Sequence, residues 1–152
     1  MCASKDLVLR PGARVSAATQ QNPVIWTVHN SAAVACSIEG YPVIAFYAGA
    51  KRLAFTYAHG GGQQVTRRKP TEVVLAPGAD AYFIVNKSTC EVRTVAVATS
   101  MRVRLSGDAA PRQVSPGRAS LGSLCSGPTT PDPGNTVHVS PVEPTIRDLF
   151  TS

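Results

Sequence analysis

The sequence predicts an all-β fold, an antiparallel sandwich with Greek-key connections, on three observations. Helix signals are nearly absent: no stretch carries a sustained 3.6-residue apolar period, and only residues 145–149 suggest a short helical turn. Short runs rich in Val, Thr and Ala recur instead, punctuated by twelve glycines and twelve prolines. Four cysteines, Cys2, Cys36, Cys90 and Cys125, fall as two early and two late. An even count in a β-rich chain of this size suggests a disulfide framework formed outside the cytosol.

The strands follow in order. Residues 5–9 (KDLVL) form the first, and residues 24–29 (VIWTVH) the second, with Val24, Trp26 and Val28 on one face. Trp26, the lone tryptophan, is therefore read as a core residue. Residues 33–39 (AVACSIE) place Val34, Cys36 and Ile38 on one face, and residues 43–47 (VIAFY) are nearly continuous in apolar character, as a buried strand would be. Residues 52–57 follow a Gly49-Ala50 turn. Residues 71–75 (TEVVL) enter a tight turn at Ala76-Pro77-Gly78, and residues 81–86 (AYFIVN) leave it. Pro77-Gly78 suits the two central positions of a type II turn. Residues 92–105 read as one long strand, alternating Met101, Val103 and Leu105 against Arg102 and Arg104; residues 136–140 (TVHVS) are the last.

Two loops interrupt the pattern. Residues 57–70 are polar and basic and contain Gly60-Gly61-Gly62. Residues 106–133 hold five prolines, with Cys125 among them. Residues 1–140 are thus read as one β-domain, and residues 141–152 as a C-terminal tail that is either flexible or docked. At 152 residues, with 43% hydrophobic and 16% charged content, the chain is long and apolar enough to bury one real core.

The order of motifs resembles the DUF4232 family of actinobacterial secreted and lipoprotein domains. Residues 2–7 (CASKDL) resemble its opening C-x-x-x-D-L. Val24–Asn30 resembles its strand ending in Asn before a short loop. Residues 35–42 (ACSIEGYP) resemble its most characteristic string, A-C-x-L-x-G-Y-P, and residues 74–78 (VLAPG) its L-x-P-G turn. Cys90 and Cys125 stand in the places of its third and fourth cysteines, with residues 101–103 where a strand often reads L-x-V. The resemblance spans residues 2–140. Ile38 departs from the common Leu, and the basic Gly-rich loop at 59–69 and the tail after Ser140 have no counterpart. The resemblance implies an immunoglobulin-like sandwich outside the membrane and no assigned activity. Bridges Cys2–Cys36, stapling the N-terminal strand to the sheet, and Cys90–Cys125, pinning the proline-rich loop, are expected. Four cysteines allow three pairings, and the spacing alone does not choose among them.

Export requires a signal, and Met1-Cys2-Ala3 turns polar at once, so a leader is expected upstream of this Met1. Cys2-Ala3-Ser4 is compatible with a lipid-anchor cysteine, but that use would leave one cysteine unpaired, which favours an anchor further upstream. No apolar run approaches the roughly 20 residues of a membrane helix.

Catalytic and metal-site patterns are missing from the sequence. No cysteine sits in a C-x-x-C or Cys/His cluster with zinc spacing. His29 and His138 lie in strands without a metal-spaced partner. His59 precedes three glycines, but no G-x-S-x-G elbow accompanies it. No carboxylate pair stands out, and no phosphate-binding glycine motif appears. The chain is accordingly expected to be non-enzymatic and to need no cofactor or metal.

The charge is the remaining functional signal. Lys and Arg exceed Asp and Glu for a net +6, and the one basic run is Arg67-Arg68-Lys69, with Lys51 and Arg52 as candidate neighbours. These five residues are the candidate site for an anionic ligand, and Arg102 and Arg104 are read as facing solvent together. Aromatics are only 6% of the chain, too sparse for the stacking that nucleic-acid binders interleave with cations. The leading reading is a secreted or envelope binding module for a cell-wall polymer or an envelope protein. The alternative is an inhibitor of a protease or other enzyme, presenting the disulfide-tied loop at 106–126. A structural spacer that docks through residues 145–150 is a third.

Overall fold

The computed structural model describes residues 1–11, 19–126 and 132–150. Residues 127–131 of the long proline loop and residues 151–152 of the tail lie outside them. The strands are β1 (Leu7–Pro11), β2 (Val24–Asn30), β3 (Cys36–Ile38), β4 (Val43–Ala48), β5 (Lys51–Arg52), β6 (Thr56–His59), β7 (Val73–Leu75), β8 (Asp80–Asn86), β9 (Arg93–Val97), β10 (Ser100–Arg104), β11 (Arg112–Val114), β12 (Ser123–Ser126) and β13 (Thr136–Val139). Four single turns of 3-10 helix are the only helical elements among the described residues. The fold is all-β, as the punctuated alternation predicts.

Two sheets form the body. One has the strand order β1-β2-β8-β13-β6 and the other β11-β10-β4-β5. Pairing is antiparallel throughout except between β6 and β13, which run parallel. Period-2 alternation turns Val24, Trp26 and Val28 of β2 and Ala81, Phe83 and Val85 of β8 to one side, and Ile44, Phe46, Met101 and Val103 of the other sheet join them in a single core. Trp26 is 1% exposed and stacks on Phe83 at 6.4 Å. Two small ribbons, β3-β7 and β12-β9, flank the body.

The structure corrects several expectations. The long strand over residues 92–105 is two strands in different sheets. At the break, the Ala98 N–H donates to the Gly122 carbonyl and the Thr99 N–H to the Tyr47 carbonyl, so the chain changes partners there. Residues 52–57 likewise divide into β5 and β6, because Leu53 and Phe55 turn into the core between them. The 43–47 run is half-buried rather than continuous: Ile44 and Phe46 point inward while Val43 is 65% exposed. Val34 precedes the ladder of β3 and is 67% exposed. Two strands, β11 and β12, arise inside the proline-rich stretch that the sequence presents as a loop. The turn after β7 matches its expectation: the Ala79 N–H donates to the Ala76 carbonyl, with Gly78 at φ +76°.

Both bridges form in the expected pairing, Cys2–Cys36 and Cys90–Cys125. The first ties the N-terminal turn to β3, where the Cys2 N–H also donates to the Ser37 carbonyl. The second ties the segment before β9 to β12. Asp132 reinforces it by accepting from the N–H groups of Glu91, Val92 and Gly134.

Residues 141–150 continue along β8. The Ser140 N–H donates to the Ile84 carbonyl, and Tyr82 and Glu143 exchange both backbone hydrogen bonds. A second small core results on the outer side of that sheet, made of Ile25, Val65, Ile84 and Leu149.

Replacing Cys2 and Cys36 together by Ser should lower stability by about 3–4 kcal/mol, the chain entropy of a loop this long, read from the urea midpoint. A loss below about 1 kcal/mol would show that this bridge is not a main staple. Leu149→Ala should cost about 2–4 kcal/mol if the second core is formed in solution, and an unchanged midpoint would mean that it is not.

Candidate anion-binding face

The five candidate cations fall in two separate places. Arg67, Arg68 and Lys69 follow a glycine hairpin in which Gly61 and Val65 exchange both backbone hydrogen bonds. Gly60 has φ +72° and is buried, and a Cβ there would collide with the Thr66 carbonyl oxygen, so only glycine lets the loop fold back on itself. The Arg67 guanidinium lies against Gly61, within 4 Å of where a Cβ would be. Arg68 grips the C-terminal segment. Its Nη1 donates to Asp148 Oδ1 at 2.9 Å, and its Nε lies 3.9 Å from Glu143 Oε1. The Thr66 N–H donates to the Leu149 carbonyl alongside. Of this run, Arg68 is thus held between two carboxylates, and Lys69 is exposed.

Lys51 and Arg52 form β5, at the edge of the other sheet. Register decides their neighbours. Arg52 pairs with Tyr47 and Tyr47 with Ser100, while Arg102 pairs with Ala45 and Gln113, and Arg104 with Val43. Because Ile44, Phe46, Met101 and Val103 point into the core, the alternate residues of β4 and β10 all point outward. Arg52, Tyr47, Arg102 and Arg104 therefore share one open sheet face. The Arg102 guanidinium sits 3.9 Å from the Tyr47 ring centroid, a cation–π contact that holds both side chains. The Arg104 Nε donates to the backbone carbonyl of Asp108, which fixes its head without neutralising it. Among the described residues no ion pair involves Arg52, Arg102 or Arg104. Beneath the sheet edge, burial pushes the Tyr57 hydroxyl up to about 12 despite the Arg52 charge nearby, so it stays a neutral phenol.

The other titratable groups serve the fold. Asp108 accepts a two-pronged contact from Arg112, whose guanidinium also donates to the Ser4 and Leu7 carbonyls. Burial would raise the Asp108 carboxyl, but hydrogen bonds from Arg112, Ser4 and the Leu105 N–H outweigh it and hold the group below the usual range. His29 Nδ1 lies 2.7 Å from Asp80 Oδ1. His138 Nδ1 lies 2.9 Å from the Gly60 carbonyl, and His59 stacks on Tyr41 at 3.8 Å. Among the described residues no three His, Cys, Asp or Glu side chains gather as a metal site would require. The 106–126 segment is built into the body, with β11 extending one sheet, Leu121 and Gly122 buried and β12 paired to β9.

Two features escaped the sequence. Arg52 lies with Arg102 and Arg104 rather than with the 67–69 run, because β5, β4 and β10 are adjacent in the sheet although β10 is far away in sequence. Tyr47, which organises the face, carried no local signal beyond its alternation with Phe46.

The chain belongs to the family described as Domain of unknown function (DUF4232), which matches residues 2–143. No curated protein and no solved structure matches it. The match ends at Glu143, and the partners of Arg68 straddle that boundary.

Glu143 gives this clamp a measurable signature. Its side chain is 1% exposed and neither carboxyl oxygen has a hydrogen-bond partner. Burial therefore raises its pKa, with Arg68 opposing and Asp148 adding to the rise. A raised native pKa favours the protonated native state, so this contribution is full in acid. It is lost as pH rises through the ordinary carboxylate value toward the raised one. Glu143→Gln should remove that loss, so the stability of the variant relative to the parent should grow between pH 4 and pH 7. A difference that is flat with pH would show that Glu143 does not titrate in this way.

Proposed function

We propose that this protein is an extracytoplasmic, non-enzymatic binding module that holds an anionic polymer of the bacterial envelope. The polymer lies on the arginine–tyrosine face of the four-stranded sheet. The observation that carries the reading is that Arg52, Arg102 and Arg104 share one outer sheet face with Tyr47, and that none of the three enters an ion pair among the described residues. Two bridged cysteine pairs support the compartment, since such bridges persist where the environment is oxidising.

Charge favours a polyanion over a globular protein as the occupant. Exposed arginines two residues apart on a strand stand about 7 Å from each other, a spacing that suits a chain with regularly repeated acid groups. A single nucleic-acid strand has the same property, and the inferred compartment favours an envelope polymer. Four of the nine carboxylates have structural partners: Asp80 has His29, Asp108 has Arg112, Asp148 has Arg68, and Asp132 has backbone N–H groups.

Retention on isolated bacterial envelopes and on immobilised polygalacturonate, measured across a salt series, tests this. Retention should fall steeply with salt, because exposed charges are screened within about 10 Å at 0.1 M. The triple variant Arg52→Ser, Arg102→Ser, Arg104→Ser should bind about tenfold more weakly, at roughly 0.5 kcal/mol for each exposed charge. Arg67→Ser with Lys69→Ser should change little. Unchanged binding by the triple variant refutes the face, and loss only in the 67/69 variant moves the site to the basic loop.

A further inference from the structure

Beside this face, the chain crossing from β9 to β10 leaves a pocket lined by Ala98, Thr99 and residues 115–119, with a volume of about 230 Å³. That is below the roughly 300–1,000 Å³ of pockets that take drug-sized ligands, so the occupant is one small unit. The lining is of mixed character. Ala98, Pro116 and Ala119 supply apolar surface, Thr99 and Ser115 supply hydroxyls, and Arg118 supplies a cation.

The polar groups differ in what they have left to offer. The Thr99 hydroxyl is taken, accepting from the Gly49 N–H and donating to the Tyr47 carbonyl. The Ser115 hydroxyl accepts from the Gly117 N–H, which leaves its own proton to donate. Arg118 is half-buried and enters no ion pair among the described residues, and no acid lines the pocket. Two glycines at the pocket pack closely against their neighbours. A Cβ on Gly117 would stand 3.0 Å from the Val24 side chain, and one on Gly122 would stand 2.8 Å from Ala98 Cβ.

We infer that this pocket binds a single sugar-acid residue. Its carboxylate would pair with the Arg118 fork, one hydroxyl would accept from Ser115, and the apolar face of the ring would rest on Ala98, Pro116 and Ala119. An inorganic phosphate would satisfy Arg118 but fill only part of the roughly 230 Å³. The pocket adjoins the arginine face, since the Thr99 N–H donates to the Tyr47 carbonyl and Ser100 pairs with Tyr47. A terminal or pendant residue of a polymer lying on that face would reach it, and this role rests on the polymer reading above.

Titration of the isotope-labelled protein with D-glucuronate, D-glucose and inorganic phosphate, followed by amide NMR, tests the pocket directly. Glucuronate should shift the amides of Ala98, Thr99, Ser115, Gly117, Arg118 and Ala119, with glucose at least tenfold weaker. Arg118→Met should abolish the shifts. The Arg52/Arg102/Arg104 triple variant should bind glucuronate normally even though it loses the polymer, so failure of the face and failure of the pocket are distinguishable. No shift at these amides overturns the inference. So does a phosphate response as tight as that of glucuronate, or equal binding of glucose; both comparisons use the parent protein and do not depend on the variant folding.

Discussion

Strands β2 and β8 are apolar on the inner face and, at Ile25 and Ile84, on the outer face too, and much of the structure follows from covering both. Trp26 and Phe83 point inward, while Ile25 and Ile84, paired in register, point the other way and are 1% and 0% exposed. The inner face is covered by the second sheet. The outer face would otherwise present two isoleucines to water, at roughly 1.5–3 kcal/mol for each side chain left unburied. Leu149 and Val65 cover it, and to reach that position the chain after β13 must run along β8 and then fold back. The price is Glu143, carried into the sheet with neither carboxyl oxygen hydrogen-bonded among the described residues and with Arg68 beside it to offset its charge.

The same constraint sorts the cations. Arg68 is drawn into the clamp over residues 143–148, so the most conspicuous basic run is partly consumed in holding the molecule together. The arginines of β5 and β10 lie on the outer face of the four-stranded sheet, where alternation places them and none enters an ion pair among the described residues. The disulfides obey a related logic. Ribbons of two short strands are marginal by themselves, and each flanking ribbon has a bridge: Cys36 lies within β3, and Cys125 within β12. The staples stand where the ladders are weakest, while the two larger sheets need none.

What could be read from the sequence was what depends on near neighbours. Val24, Trp26 and Val28 share a face because strands alternate, and so do Met101, Val103 and Leu105; both sets are in the core. Asn30 ends its strand because its amide serves three carbonyls at once, those of Val34, Leu75 and Ala76, a role that a short loop after a strand hints at. The break at Ala98-Thr99 has no local signal because no glycine or proline marks the bend at Thr99, where the chain switches partners. The strands at 112–114 and 123–126 were masked by the prolines around them. The proximity of Arg52 and Arg102 had no local signature at all, since it is created by sheet neighbours about fifty residues apart in sequence. The tail and the basic loop each looked unassigned when read alone, and became intelligible only as partners.

The exposure of the arginine face also limits what it can hold. A lone anion on an open sheet gains little, because each pair sits in water and is screened by salt. Repetition changes the balance: once one acid group is engaged, the next is presented at high local concentration rather than recruited from bulk solution. A flat array of unpaired cations, held in place by a stacked tyrosine, thus favours a long polyanion over any of its monomers. The open pocket beside Thr99 would work in the opposite way, taking one unit and leaving the rest of the chain to the sheet face. On the proposed reading the two kinds of surface would complement each other, the face contributing attraction without selectivity and the pocket selectivity without much attraction.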